Sequence, residues 1–307
     1  MAVSNTLTNT TATLLAQEGM EAFKTAIAPV RAFSFMPTSE PRSRFYTLNV
    51  PVITARTAGS WSNSYAGGNS TIASAQVSLS SHSFSGAAVT DAQNTVTSFD
   101  YMKLMARECG AAVARAVIDT CTGLVLAATY GDTEGTSKIT VAASSFDSDY
   151  VAEVVDAAND RKIPETNRSL ILLDAYYTAL LKDSALKAAD AFGGSEVIRG
   201  ARVPQLYGMN VYRISDLPTA VDNQSTVGFL VHPSAIALAT APVAPADAEA
   251  AAAAGAMITQ VTDDESGLTL TFRRHYDTTL GESTINFECL HGAVAVQTTG
   301  LVRICSA

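Results

Sequence analysis

Apolar residues Leu14, Leu15, Met20, Phe23 and Ile27 recur at near-helical spacing until Pro29 stops the run, so the chain opens on an amphipathic helix over about 11–28. From residue 45 to 57 the period drops to two. Tyr46, Leu48, Val50 and Val52 alternate with Thr47, Asn49 and Pro51, which reads as a strand that Pro51 confines to an edge. A second strand is expected over about 76–84. The residues between them are rich in Gly, Ser, Asn and Ala and carry Trp61, Tyr65, Gly67 and Gly68. Two strands with such a tip make an extended arm with little apolar surface of its own, which must lie against something else.

The strongest helical pattern follows. Thr97 or Ser98 can cap it, with Asp100 in its first turn, and Met102, Met105, Cys109, Val113, Ala116, Cys121 and Leu124 track one face. About 28 residues at 1.5 Å each predict a rod of roughly 40 Å. Beyond Gly131 and Gly135 the texture alternates: helix 148–159 with Asp147 and Asp149 as capping residues, strand 169–173, helix 174–182, a Gly-rich loop 192–200, strands 209–214 and 227–231, and a helix from Pro233. That is an α/β unit and a second domain. Residues 241–256 are Ala-rich and read as a short helix between linkers. The chain ends on strands expected at 257–261, 268–274, 283–290 and 293–304.

Composition agrees with a packed protein. The 307 residues are 47% hydrophobic and 16% charged, which suits two domains or one large one with a sizeable core. The net charge of -9 argues against a free-standing nucleic-acid binder, which would cluster bases to neutralise phosphates. The charge is uneven: through residue 90 there are five bases and three acids, a surplus of two, leaving -11 for the rest. No apolar run reaches the roughly 18 to 20 residues of a membrane span, and the start lacks a basic, apolar leader, so a soluble, unexported chain is expected. Cys109, Cys121, Cys289 and Cys305 lack C-x-x-C spacing and are expected as reduced thiols. Cys109 and Cys121 would lie roughly 18 Å apart on one helix, too far for a disulfide.

Catalytic signatures are missing. The stretch 131–138, GDTEGTSK, has the wrong spacing for a phosphate-binding loop, and there is neither a G-x-S-x-G elbow nor an H-E-x-x-H pair. His82, His232, His275 and His291 are widely separated and read as structural imidazoles. Asp263, Asp264 and Glu265 precede Ser266 and Gly267 between two strands and read as a solvated hairpin turn, not a cation site. No catalytic residue, cofactor or metal is expected. Trp61 and Tyr65 are either interface anchors or aromatics folded back on their own strands.

The order of parts resembles the major capsid protein of tailed bacteriophages, the Hong Kong 97 type fold. The stretches that carry the resemblance are RSLILLDAYYTALLKD and VIRGARVPQLYGMNVYRISDLP within 167–218, VGFLVHPSAIALA at 227–239, and GLTLTFRRHYD through CLHGAVAVQTTGLVRI at the end. It implies an α+β chain with an N-terminal arm at 1–41, an extended β-hairpin E-loop at 42–90, a peripheral domain with a spine helix at 91–144 and 257–307, and an α/β axial domain at 145–256. The last strand is left open between the two domains.

The function implied is non-enzymatic: self-assembly into hexameric and pentameric capsomers of an icosahedral head that encloses double-stranded DNA, contacted non-specifically. The chain would be located in the virion and assembled in the host cytoplasm, with no membrane partner. Further partners implied are a separate scaffolding protein, because no long segment precedes the arm helix, a portal, and a cement or decoration protein. Between Lys24 and Lys103 there is no lysine, so covalent E-loop crosslinks through lysine are excluded. Candidate assembly contacts are Arg42, Arg44, Arg56, Trp61, Tyr65, Gly67 and Gly68. The alternatives are an encapsulin-like nanocompartment shell and, more remotely, an α/β enzyme with a β-arm as dimerisation hook.

Overall fold

The computed structural model describes residues 8–52, 73–96, 101–187, 203, 205–217, 226–253, 255–263 and 267–307. Helix α1 (Thr8–Ala26) leads into a 3-10 turn at Ala28–Ala32, where Pro29 sits in the first turn and costs no hydrogen bond. Strand β1 (Ser34–Pro37) follows, then β2 (Thr47–Val52), β3 (Ala73–Ser78) and β4 (Ser81–Thr90). Helices α2 (Asp91–Val96), α3 (Tyr101–Thr122) and α4 (Ala127–Tyr130) lead to β5 (Lys138–Thr140). The α/β unit comprises α5 (Ser148–Asp160), β6 (Ser169–Leu173), α6 (Asp174–Lys182), α7 (Ser184–Lys187), β7 (Gln205–Leu206), β8 (Met209–Ile214) and β9 (Thr226–Val231). The chain finishes with β10 (Ile236–Ala241), α8 (Ala248–Ala253), β11 (Met257–Thr262), β12 (Thr269–Asp277), β13 (Glu282–Ala295) and β14 (Leu301–Cys305).

The first sheet is organised around β13. One edge of β13 carries β12 along its first half and β10 along its second, while β4 takes the other edge from Glu282 to His291. Strand β11 flanks β12, and β1 lies parallel to β10. One face of this sheet buries Phe272, Ile285, Phe287 and Cys289 against Leu15, Phe23, Val113 and Val117 of α1 and α3. The two helices cross at glycines. A Cβ at Gly110 would run into the Gly19 carbonyl, so backbone meets backbone there and α1 lies flush on α3. Glu18 reinforces the crossing by pairing with Lys103 and Arg107, whose hydrogen bonds hold its carboxyl below the usual range.

The second sheet runs β5-β14-β9-β6-β8-β7. Strand β6 shows why its sequence is an unbroken apolar run: Leu170 and Leu172 enter a core with α5, α6 and α7, whereas Ile171 enters the core shared with α1 and α3. Asp147 caps α5, its Oδ1 accepting from the N–H groups of Asp149 and Tyr150 at 3.1 Å.

Three sequence expectations need correction. The helix expected from Pro233 is strand β10. All six of its residues are buried, Ile236 and Leu238 on the α1–α3 side and Ala237, Ala239 and Ala241 on the other, so packing on two faces overrides alanine's helical preference. The strand expected at 76–84 breaks at Leu79–Ser80: β3 pairs with β2, whereas β4 joins the main sheet beside β13. The strands expected at 283–290 and 293–304 are divided elsewhere, because β13 continues through Gly292 to Ala295 and only β14 follows. The start of the long rod, with its expected caps Thr97, Ser98 and Asp100, lies outside the described residues; the described part, the 22-residue α3, spans about 33 Å at 1.5 Å per residue.

Candidate assembly surface

The arm begins at a tight root. Phe45 N–H donates to the Leu79 carbonyl at 2.9 Å and Leu79 N–H to the Tyr46 carbonyl at 3.0 Å, so the two legs are clamped where they leave the body. Above the clamp β2 and β3 pair in register from Thr47 with Ser78 to Val52 with Ala73. Pro51 is tolerated because, among the described residues, β2 has no second neighbour to receive a donor. Val50, Val77 and Leu79 make a small core with Ala237, Ala239, Ala241 and Leu290 on the sheet face away from α1 and α3. The alanines and Gly292 keep that face thin: a Cβ at Gly292 would clash with the Ser78 carbonyl.

At the root, aromatic and cationic side chains are presented outward. Phe45 is 66% exposed and Tyr46 37%. The Arg44 guanidinium lies 5.4 Å from the Phe45 ring centre and that of Arg42 5.0 Å from Tyr46. Arg42 also pairs with Glu40 at 2.7 Å, and Arg44 Nε donates to the Ser80 carbonyl at 3.1 Å. The sequence-predicted residues are therefore only partly brought together: Arg42 and Arg44 share the root, whereas Arg56, Trp61, Tyr65, Gly67 and Gly68 lie outside the described residues. Sequence reasoning did not single out Phe45, the most exposed aromatic at the root. Its place at the head of an alternating run signals a strand, and nothing local distinguishes an exposed aromatic from a buried one.

The chemistry of the remaining polar groups is structural. Glu288, nearly buried, is gripped by Arg273 and by His82 Nε2 at 3.0 Å. Ser83 Oγ and His291 Nε2 are 2.8 Å apart, a nucleophile–base spacing, but Nδ1 of this buried imidazole has no partner to orient it. Burial, helped by nearby His82, pushes the His291 pKa down to about 4, which suits a neutral hydrogen-bonding group and not a base working near neutrality.

Lys138, the lysine of GDTEGTSK, pairs with Asp132 at 3.0 Å, so it is engaged with its own loop. Asp263 pairs with Lys24 at 3.0 Å; Asp264 and Glu265 lie outside the described residues. None of the four cysteines is in a disulfide and all are buried, and burial raises the thiols of Cys121 and Cys289 to about 12. A cleft of about 850 Å3 is lined by residues including Phe146, Asp147, Asp174 and Asp183, of which Asp147 caps α5 and Asp183 accepts from Ser148 N–H at 2.9 Å. Among the described residues no group of His, Cys, Asp and Glu is arranged to hold a metal, and no helix is long and apolar enough to cross a membrane.

No family model matches the sequence, and no curated protein does. Solved structures do match in fold. A capsid structure of the cyanophage P-SCSP1u is similar at 14% identity, covering 90% of this chain and 86% of that one, with a TM-score of 0.56. The capsid of an empty GTA particle computed with C5 symmetry gives 14% identity, 92% and 90% coverage and a TM-score of 0.53. The mature capsid of bacteriophage PhiM1 gives 9%, 90% and 86%, with a TM-score of 0.52. At such identity only architecture is shared, but it is shared over nearly the full length of both partners. This mixed α+β chain has the fold of phage capsid subunits.

Proposed function

We propose that the chain is the major capsid protein of a tailed phage, self-assembling into the icosahedral shell that encloses the genome. The observation that carries this reading is the near-complete two-way coverage by capsid structures, 90% of this chain and 86% of the cyanophage capsid chain. A β-arm that buries only a small core against its own body fits a subunit whose remaining contacts are made to neighbours. Closed shells reuse such heterologous contacts around local axes, and many modest contacts per subunit add up through avidity.

In finer detail, residues 1–41 act as the N-terminal arm, 42–90 as the E-loop, 91–144 and 257–307 as the peripheral domain with α3 as spine helix, and 145–256 as the axial domain of a Hong Kong 97 type subunit. The pairing of β14 with β9 and β5 favours giving the last strand to the axial domain. Arg42, Arg44, Arg56, Trp61, Tyr65, Gly67 and Gly68 are the proposed contacts to neighbouring subunits. A scaffolding protein, a portal, a cement protein and non-specifically held DNA complete the partner set, and the subunit resides in the virion without catalysing a reaction. Expression of the chain, with its scaffold where one is encoded, tests this: closed particles holding DNA support the reading, and particles that copurify with an enzyme cargo identify a nanocompartment instead.

A further inference from the structure

We infer that Phe45, flanked by Arg42, Arg44 and Tyr46, is an anchor that docks on the carboxylate-bearing outer face of α5 in a second copy of the chain; this rests on the shell-subunit reading above. Three observations at the root converge. Phe45 combines a φ of +71° with 66% exposure. A bulky side chain in the left-handed region is strained, and glycine would relieve it. That backbone closes the Ser43–Tyr46 turn, in which Tyr46 N–H donates to the Ser43 carbonyl at 3.0 Å, but among the described residues the ring itself packs on no core. The only described company it keeps is the Arg44 guanidinium, and the pair presents an aromatic plane with a cation, the chemistry most enriched at the energetic centres of interfaces.

Charge complementarity selects the occupant. The chain through residue 90 carries a surplus of two positive charges and the rest -11, so a positive root meets acid on almost any other copy. The densest exposed acid on one element is α5. Its inner face buries Val151, Val154, Ala157 and Ala158, while Asp149, Glu153, Asp156 and Asp160 recur at helical spacing on the exposed side. None of these four is in an ion pair among the described residues. Like charges three and four apart weaken a helix, a cost that a cationic neighbour removes. The Arg42–Glu40 pair is exposed and weak, so Arg42 can exchange partners, and Arg44 uses only Nε on Ser80.

The test is a charge swap read by the rate of shell growth in light scattering, with subunit melting as the folding control. Arg42→Glu with Arg44→Glu, and separately Glu153→Arg with Asp156→Arg, are each expected to slow growth at least tenfold, and the two sets combined to restore it to within about threefold of wild type. Phe45→Gly is expected to leave subunit melting unchanged or raised while slowing growth. If the reversed arm does not fold, Arg42→Gln with Arg44→Gln takes its place in the same comparison. Parents that grow like wild type, a combined variant no faster than its slower parent, or Phe45→Gly shells at wild-type rate would each overturn the inference. Wild-type subunits that form no shell under any condition would overturn the capsid reading itself.

Discussion

His291 is fully enclosed on β13, tied through Nε2 to Ser83, and its burial favours the neutral ring. Its folded pKa is depressed to about 4 from 6.5, so between those values the unfolded chain binds the proton more readily than the folded one. Stability should therefore fall as pH drops from about 6.5 to about 4 and level off below, a loss of roughly 3 kcal/mol from this one group. Denaturant unfolding of unassembled subunits at pH 7 and pH 4 should give a smaller pH-dependent loss for His291→Gln than for wild type; equal losses would remove the assignment. The sequence marked this histidine as structural because no second ligand or base stood at a useful spacing. It gave no hint of the seryl partner, since Ser83 and His291 are brought together only by the β4–β13 register.

At the scale of elements, legibility followed periodicity. Helices α1, α5 and α6 and strands β6 and β8 were readable because each has a local amphipathic or continuous apolar pattern and a capping or breaking residue at its end. Strand β10 was not, because IALATA is as good a helix as a strand and only the two cores that enclose it decide. The glycines at the α1–α3 crossing were also silent: Gly19 and Gly110 look like weak points in helices, yet they set how closely the two approach. Gly110→Ala should push α1 off α3 and cost about 3 kcal/mol, visible as a lower melting temperature of the subunit. A substitution tolerated without loss would mean that the helices are not in backbone contact. Gly292→Ala should likewise loosen β3 from the sheet, read as faster amide exchange in β2 and β3 with little change in α5.

At the scale of the molecule, the mixed α+β class was the readable feature, and overall fold is what the capsid structures share with this chain at 9–14% identity. The proposed contact residues were less accessible to sequence reasoning, because an interface residue is defined by what it fails to bury in its own subunit. Arg42 and Arg44 stood out as charges on an arm; Phe45 emerged only once its exposure and backbone were known. Removing residues 59–74 should leave folded subunits while stopping shell growth. Normal shells from that deletion would take the arm's tip out of assembly. The most direct measurement is negative-stain microscopy of the purified chain under assembly conditions. The account predicts capsomers or closed particles hundreds of ångströms across; a population that stays monomeric or dimeric in every condition would contradict it.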